Sequence, residues 1–288
     1  MTLPQREKGA SVFFFGLIGI YIILNALPAG SGINNMLNDP YALIVLKAGQ
    51  IILSILLFVI PPVFFAYYVS GDVKSYLKFR SPARPESFIY TAFAVLAATP
   101  LINLLADMNG KMHLPSALSG IETWMRQKEN DAAVLTEAFL KMDSSSALLV
   151  NLLMIAVIPA IGEEFMCRGV MQRLFSGWMR NRHAGVWLAA VIFSALHFQF
   201  FGFIPRMLLG AMLGYLFLWS NSIWLPVTAH FVNNGSAIII SYMNSHGILR
   251  ANLDNIGAGE NEWRLTMLSS AVFGGLLYAI FKREKRGP

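Results

Sequence analysis

A run of apolar residues that ends in adjacent charges constrains this chain more than any other feature. The run extends from Ala147 to Gly162, and Glu163 and Glu164 follow it directly, with Arg168 one helical turn later. Placing one ionisable side chain deep in a bilayer costs at least ~2.5–3.5 kcal/mol on insertion scales. If this run crosses a membrane, its charges therefore need partners, a water-filled cavity or a function.

The composition places the chain in a membrane. Of its 288 residues, 56% are hydrophobic and only 13% are charged, whereas soluble domains carry roughly 25% charged residues. The net charge of +6 is typical of basic cytoplasmic loops in a membrane protein, so we expect no nucleic-acid partner. The single cysteine, Cys167, excludes an internal disulfide, and we interpret it as a buried, inert thiol.

The apolar segments predict an all-α fold. About 20 apolar residues cross a bilayer, and by this measure the sequence contains eight spans. They lie near 10–29, 42–69, 87–106, 145–170, 184–203, 205–220, 223–243 and 265–281. We therefore predict a single membrane domain over residues 1–288, a polytopic bundle of about eight transmembrane helices with a polar cavity inside. Lys47 and Pro61-Pro62 predict a tilt or kink in the second span.

The distribution of Lys and Arg predicts the orientation, because cytoplasmic loops carry an excess of both. They are concentrated in the two tails and in the loops after the second and fourth spans. We therefore predict cytoplasmic termini. The short chain and its compact loops favour a bacterial inner-membrane protein. The polar segment 107–146 would then face outward as an extramembrane loop, and residues 119–142 have the pattern of an amphipathic interfacial helix. This helix is either a structural lid or a gate over the cavity.

The two adjacent acids are predicted to have different surroundings. Glu163 and Glu164 are about 100° apart on a helix and cannot point in one direction. Glu164 and Arg168 stand four residues apart, in the order that favours an ion pair. Glu163 is then left to face the cavity, where a carboxylate of low solvation is suited to take a proton from water. The alternative is an ion cluster at the helix end near the headgroups.

Two later apolar spans each carry a histidine with a partner four residues away. His197 follows Phe193, whose ring could pack over the imidazole and orient it. His230 precedes Asn234, and donors on this helix face could stabilise an oxyanion. Asn233 is the alternative neighbour of His230. The same residue types also form hydrogen bonds between membrane helices, so each pair alone has a structural interpretation as well.

Taken in order, these residues form three motifs: Glu-Glu-x-x-x-Arg, Phe-x-x-x-His and His-x-x-x-Asn. Together they resemble the CAAX-processing and bacteriocin-processing protease family, which includes type II CAAX prenyl endopeptidases and the Abi proteins. The resemblance covers residues 145–243. It implies an intramembrane endopeptidase of eight or so helices around a cavity that opens towards the membrane and the cytosol.

The resemblance also implies a role for each motif. Glu163 and His197 would activate a water, and His230 and Asn234 would form the oxyanion site. Glu164 and Arg168 would support them. The predicted function is cleavage of a peptide bond near the cytoplasmic side of the membrane. The substrate would be a peptide or protein, with or without a prenyl group, presented at the lipid bilayer.

The sequence allows catalysis with or without a metal. The zincin motif His-Glu-x-x-His is absent, but Glu163, His197 and His230 would be an acceptable zinc ligand set. We favour metal-independent catalysis, because these ligands come from three helices and Phe193 offers His197 no hydrogen bond. An Asn beside His230 also suits an oxyanion better than a ligand set.

Two other functions are compatible with the motifs. Intramembrane Glu, His and Arg can form a proton relay in an ion-coupled transporter, although we find no internal repeat of the kind that carriers often show. A non-catalytic immunity or scaffold protein could also retain the complete set. Cleavage of peptides by the purified protein separates the peptidase from both alternatives.

Overall fold

The structure is a computed structural model that describes residues 3–26, 37, 39–80, 83–249, 256–259 and 262–285. These residues form ten helices and no strand. The helices are α1 (Leu3–Ala26), α2 (Tyr41–Ser70), α3 (Val73–Tyr76), α4 (Pro85–Gly110), α5 (Ser119–Leu140), α6 (Ser145–Trp178), α7 (Arg182–Ala195), α8 (Phe203–Ser220), α9 (Trp224–Ser245) and α10 (Trp263–Glu284). The predicted all-α, polytopic membrane fold is confirmed.

Each of the eight predicted spans overlaps one of these helices. Within the described residues, five segments are long and apolar enough to cross a membrane: α2, α4, α6, α10, and α8 with the turn before it. Helix α7 is apolar but shorter, and polar side chains interrupt α9. The end of the first predicted span, residues 27–29, lies outside the described residues, as do Arg250 and Arg286, on which the orientation partly depends.

Prolines widen the two longest helices. A π-helical turn, Ile55–Val59, precedes Pro61-Pro62 in α2, and another, Leu152–Val157, precedes Pro159 in α6. Proline has no N–H, so the carbonyl four residues earlier loses its helical donor, and a wider turn relieves the mismatch. The irregularity expected in the second span takes this form.

Helices α6 and α8 pack closely through two glycines spaced four residues apart. Arg168 Nη2 donates to the carbonyl of Gly210 (2.8 Å), and Gln172 Nε2 donates to the carbonyl of Gly214 (3.0 Å). A Cβ on Gly214 would come within 2.8 Å of side chains on α6 and α7. Small residues at such interfaces allow backbones to approach and polar side chains to bond across helices. The packing therefore fixes α6, the helix that carries the acidic motif.

Helix α5 lies across one end of the bundle. The indole of its Trp124 donates to the carbonyl of Ala26 at the end of α1 (3.4 Å). Its Phe139 carbonyl accepts from Lys47 Nζ, near the start of α2 (3.0 Å), and from Asn151 Nδ2, near the start of α6 (2.5 Å). We call this end of the bundle the α5 side.

The opposite end, which we call the basic side, holds the start of α1 and the end of α10. Glu284 of α10 accepts there from the backbone N–H of Arg84 (3.1 Å). Most of the described Lys and Arg residues lie at this end: Arg6, Lys8, Lys74, Lys78, Arg80, Arg84, Arg173, Arg180, Arg182, Lys282, Arg283 and Lys285. The two ends of the bundle therefore differ strongly in charge.

The predicted span 184–203 is wrong in its second half, because α7 ends at Ala195 after 14 residues. Such a helix rises ~21 Å, less than the ~30 Å hydrocarbon core. The N–H of His197 bonds to a carbonyl only three residues back (3.3 Å), and Phe198 has a φ of 54°. His197 therefore lies in a turn rather than in a helix. Irregular backbone is tolerated at membrane depth where it lines a cavity.

Candidate active site

A cavity of about 500 Å³ extends from the middle of the bundle towards the α5 side. Its lining residues come from α1, α2, α5 to α9 and the turn after α7. The predicted residues Glu163, Phe193, His197, His230 and Asn234 all line it. Glu164 and Arg168 do not line it; both are buried behind it. The structure thus brings together residues from three separate helical segments.

Glu163 faces two imidazoles. Its Oε2 atom lies 3.9 Å from His197 Nε2 and 3.8 Å from His230 Nε2. This oxygen is buried and has no hydrogen-bond partner among the described residues. Both separations are too long for direct hydrogen bonds, and they suit a bridge through one water molecule.

Hydrogen bonds at the far side of each ring fix the histidine tautomers. Nδ1 of His197 lies 2.8 Å from the carbonyl oxygen of Phe193, and Nδ1 of His230 lies 2.8 Å from Oε1 of Glu164. A carbonyl or carboxylate oxygen accepts, so each Nδ1 must carry the proton. In a neutral imidazole, Nε2 then has a free lone pair. Both lone pairs therefore face the side of the cavity where Glu163 lies.

The ion pair expected between Glu164 and Arg168 is present and fully buried. Arg168 Nη1 donates to Glu164 Oε1 (2.6 Å), and the two side chains are 1% and 0% exposed. The guanidinium also lies 5.0 Å from the ring centroid of Phe193. Because Glu164 also accepts from His230, it joins α6 to α9. This burial argues against the alternative of an ion cluster at the headgroups.

Asn234 has a structural partner that the sequence did not reveal. Its Nδ2 donates to the carbonyl of Ile155 (3.0 Å), whose helical donor would be the N–H of residue 159, a proline. Its Oδ1 accepts from Asn233 Nδ2 (3.0 Å). One amide hydrogen of Asn234 thus compensates for the proline in α6, and the other remains for the cavity. The oxyanion role of His230 and Asn234 stays a prediction.

The expectation that Phe193 offers His197 no hydrogen bond is wrong. The two rings do pack edge to face, with centroids 4.9 Å apart, but the main-chain carbonyl of Phe193 accepts from the imidazole. Both histidines therefore have an orienting partner of the kind that metal-bound histidines usually have. The donor atoms suit zinc chemically. Among the described residues, however, no group of three His, Cys, Asp or Glu side chains is spaced to hold a metal ion.

Sequence reasoning missed Arg206 at this site. It lies on the first turn of α8 and lines the cavity. Its Nη2 donates to Oε1 of Gln199 (2.6 Å), and its Nη1 to the Gln199 carbonyl (3.1 Å). A signal was available, because Arg206 is the one charged residue between His197 and Asn234.

The fold and the site together define a helical membrane protein with a buried Glu–His centre. Residues 145–236, which comprise most of α6 to α9, match the family model of type II CAAX prenyl endopeptidase Rce1-like proteins. The resemblance to the CAAX-processing protease family is thereby confirmed for this part of the chain.

The chain is also similar to a curated protein. The uncharacterized protein YpbD of Bacillus subtilis (strain 168) is 29% identical over 136 residues, which cover 46% of this chain and 59% of that protein. The chain thus spans less than two thirds of the length of this relative. No solved structure matches the chain significantly.

Proposed function

We propose that this protein is an intramembrane endopeptidase that hydrolyses a peptide bond with water activated by Glu163. The observation that carries the proposal is the position of the buried, unpartnered Oε2 of this residue, 3.8–3.9 Å from two imidazole Nε2 atoms. A buried carboxylate oxygen without a partner is costly, so its retention is best explained by the chemistry that it performs.

The geometry supports a two-stage mechanism. One water bridges Glu163 Oε2 and an Nε2 lone pair of His197 or His230, and Glu163 takes one of its protons. The water oxygen bonds to the carbonyl carbon of the substrate, and the free amide hydrogen of Asn234 stabilises the resulting oxyanion. The C–N bond then breaks as the carboxyl group of Glu163 returns the proton to the leaving amine.

Glu164 and Arg168 act on this centre through His230. The buried pair holds His230 Nδ1 and thereby aims Nε2 at the cavity. The carbonyl of Phe193 does the same for His197. Neither Glu164 nor Arg168 needs to touch the substrate, and we therefore assign both as positioning residues.

The side of cleavage needs a choice that the sequence did not require. The cavity extends from the middle of the bundle towards the α5 side, whereas the start of α1 and the end of α10 lie at the basic side. Cytoplasmic termini therefore favour entry of the substrate from the opposite face. The charge asymmetry is the stronger physical argument. We therefore propose that the basic side is cytoplasmic, in a bacterial inner membrane, and that the peptide or protein substrate, prenylated or not, enters from the opposite face.

Cysteine labelling tests this orientation, because the natural Cys167 is buried. Asn130→Cys on α5 should react with a membrane-impermeant maleimide in intact cells, and Arg180→Cys at the basic side should react only after lysis. The reverse labelling would place the cavity on the cytoplasmic face and contradict the choice.

The activity is tested with purified protein and a mixed peptide library, with and without a prenyl group. Wild-type protein should cleave and Glu163→Gln should not, while both unfold at similar temperatures. Absence of cleavage by well-folded wild-type protein would favour a scaffold protein or a transporter instead. Metal independence is tested by exhaustive chelation followed by elemental analysis. Stoichiometric zinc whose removal abolishes cleavage, and whose return restores it, would make Glu163, His197 and His230 ligands.

A further inference from the structure

The segment between α7 and α8 carries His197, and side chains from other helices hold much of it in place. It comprises residues 196–202 and ends in a short 3₁₀ turn, Phe200–Gly202, after which α8 begins. Buried backbone N–H and C=O groups outside regular helices still need hydrogen-bond partners. The residues that supply these partners therefore determine where the segment lies, and His197 with it.

Asn109, at the end of α4, supplies two of these partners. The residue is 5% exposed. Its Nδ2 donates to the carbonyl of Phe200 (3.3 Å), and its Oδ1 accepts from the backbone N–H of Ile204 (2.8 Å), which lies in the first turn of α8, where helical acceptors are missing. Glu129 of α5 accepts from the N–H of Phe201 (3.1 Å), but it is partly exposed. One buried amide thus joins both ends of the 3₁₀ turn to α4.

The beginning of the segment is held separately. Ser194 Oγ donates to the carbonyl of Phe203 (2.7 Å), which closes the base of the connection between α7 and α8. The hydroxyl of Tyr21 on α1 donates to the carbonyl of Leu196 (3.2 Å). His197 lies between these contacts and those from α4. Because the base is closed independently, we expect loss of the α4 contacts to loosen the segment locally and to leave the bundle folded.

We propose that Asn109 is a positioning residue for His197, and that its two bonds keep the imidazole within reach of Glu163 through one water molecule. The inference rests on the proposed peptidase function and adds α4 to the elements that serve it. His197 Nε2 lies 3.9 Å from Glu163 Oε2, and misplacement of a reacting group by ~1 Å can cost ~10²-fold in rate. Asn109 is not among the described residues that line the cavity, so its effect reaches the reaction through the segment and not through contact with the substrate.

The first experiment separates turnover from substrate binding. Asn109→Ala removes both bonds, and kcat should fall ~10-fold or more while KM changes much less. Asn109→Asp keeps an oxygen that can accept from the N–H of Ile204 but loses the donor to Phe200, so its kcat should lie between those of Asn109→Ala and wild type. Asn130→Ala, at an exposed asparagine on α5, is the matched control and should behave as wild type.

Thermal unfolding and the folded fraction are measured for each variant, so that kcat is expressed per folded molecule. A kcat equal to that of wild type in Asn109→Ala would overturn the proposal, and so would a change confined to KM. If Asn109→Ala does not fold, Asn109→Asp decides by the same criterion. Loss of kcat in Asn130→Ala as well would assign the effect to general loosening of the protein and would also overturn the proposal.

Two measurements that need no turnover separate this inference from the proposed chemistry. Hydrogen exchange at residues 198–204 should be faster in Asn109→Ala than in wild type. Diethyl pyrocarbonate acylates accessible imidazoles, and mass spectrometry should show faster modification of His197 in this variant, with the exposed His183 as internal reference. Both results would support the positioning role even if wild-type protein cleaved nothing. Faster exchange with an unchanged rate at His197 would overturn it, because Asn109 would then hold the segment without positioning the imidazole, and unchanged exchange would overturn it too.

Discussion

Two groups of helices enclose the same cavity, and they contribute different kinds of side chain to it. Helices α6 to α9 and the turn after α7 contribute Glu163, His197, His230 and Arg206, and the last three are each held by a hydrogen bond to a neighbouring group. Helices α1, α2 and α5 contribute Tyr21, Gln50, Ser54, Leu135 and Phe139, among others. The first group supplies charge and orientation, and the second supplies a neutral wall.

The difference between the two groups shows which positions a sequence motif can include. A group that moves a proton must lie at a set distance from its partner, so its residue type and spacing are constrained. A wall needs only suitable size and polarity, which many residues satisfy. We therefore expect substitutions in the first group to affect turnover or folding strongly, and those in the second to have milder effects.

The adjacent acids provide the sharpest test of this contrast. Glu163→Gln should lower proteolysis by ~10²-fold or more, because the side chain keeps its shape but loses its basicity. Its thermal unfolding in detergent should resemble wild type. Glu164→Gln should lower stability as well, because it weakens the bonds to Arg168 and His230. Near-normal turnover by Glu163→Gln would contradict its assignment as the base.

Arg168 tests the buried support of the centre. Arg168→Ala leaves Glu164 inside the bundle without its guanidinium, which can cost ~3–5 kcal/mol of folding stability. We expect lower yield, a lower unfolding temperature and reduced cleavage together. The exposed Arg182→Ala serves as control and should change none of these. A stable but inactive Arg168→Ala protein would point to direct contact with substrate.

Variants of Asn234 separate a structural role of this residue from a catalytic one. Asn234→Ala leaves the Ile155 carbonyl without its donor, and an unpaired buried group costs ~1–3 kcal/mol. If Asn234 also stabilises the oxyanion, kcat should fall much further than stability explains. Asn233→Ala should retain the bond to Ile155 and most of the activity. A loss of stability with unchanged kcat per folded molecule would leave Asn234 with a structural role alone.

Lys47 tests the second group of helices, which supplies the neutral wall of the cavity. Its Nζ donates to the Phe139 carbonyl and to Asn151 Oδ1, each at 3.0 Å. Lys47→Met removes both bonds, but Asn151 still donates to Phe139, so we expect a loss of only ~0.5–1.5 kcal/mol. Faster amide hydrogen exchange in α5, with unchanged cleavage chemistry, is the expected signature. A loss of kcat would instead make α5 part of the catalytic machinery.

The smallest effect is expected at the start of α5. The backbone N–H of Leu114 (2.8 Å), with Arg126 and His113, lowers the pKa of Glu122 from 4.5 to about 2. Since the folded pKa is the lower one, the carboxylate stabilises this segment above pH 4.5, and the contribution disappears as the pH falls towards 2. Hydrogen exchange at residues 112–126 should show this dependence, and Glu122→Gln should abolish it.

Much of the fold and of the candidate site could be predicted from the sequence, wherever the local spacing of residues determines which side chains are in contact. The apolar runs located the helices, and the spacing of Glu164 and Arg168 indicated their ion pair. The premature end of α7 could not be predicted in this way. The side chain of His197 bonds to a main-chain carbonyl, and Phe198 adopts a left-handed conformation although it is neither a glycine nor next to a proline.

The other features that the sequence did not predict depend on contacts between residues far apart in the chain. The bond between Asn234 and Ile155 joins residues 79 positions apart, and that between Arg168 and Gly210 joins residues 42 apart. No local pattern specifies either. The position of Arg206 in the cavity depends likewise on the turn that precedes α8, and none of the three sequence motifs includes this residue.

The position of the cavity on one side of the bundle has a consequence for the permeability of the membrane. The proposed hydrolysis consumes a water molecule, so it requires a hydrated centre of the bundle. The cavity reaches that centre from the α5 side, while below Glu163 the core contains Phe165, Met166, Met171 and Phe175, all buried. Water can therefore reach the centre from the α5 side, while this apolar core separates the centre from the basic side. The proposed hydrolysis at membrane depth is thus compatible with a proton gradient across the bilayer.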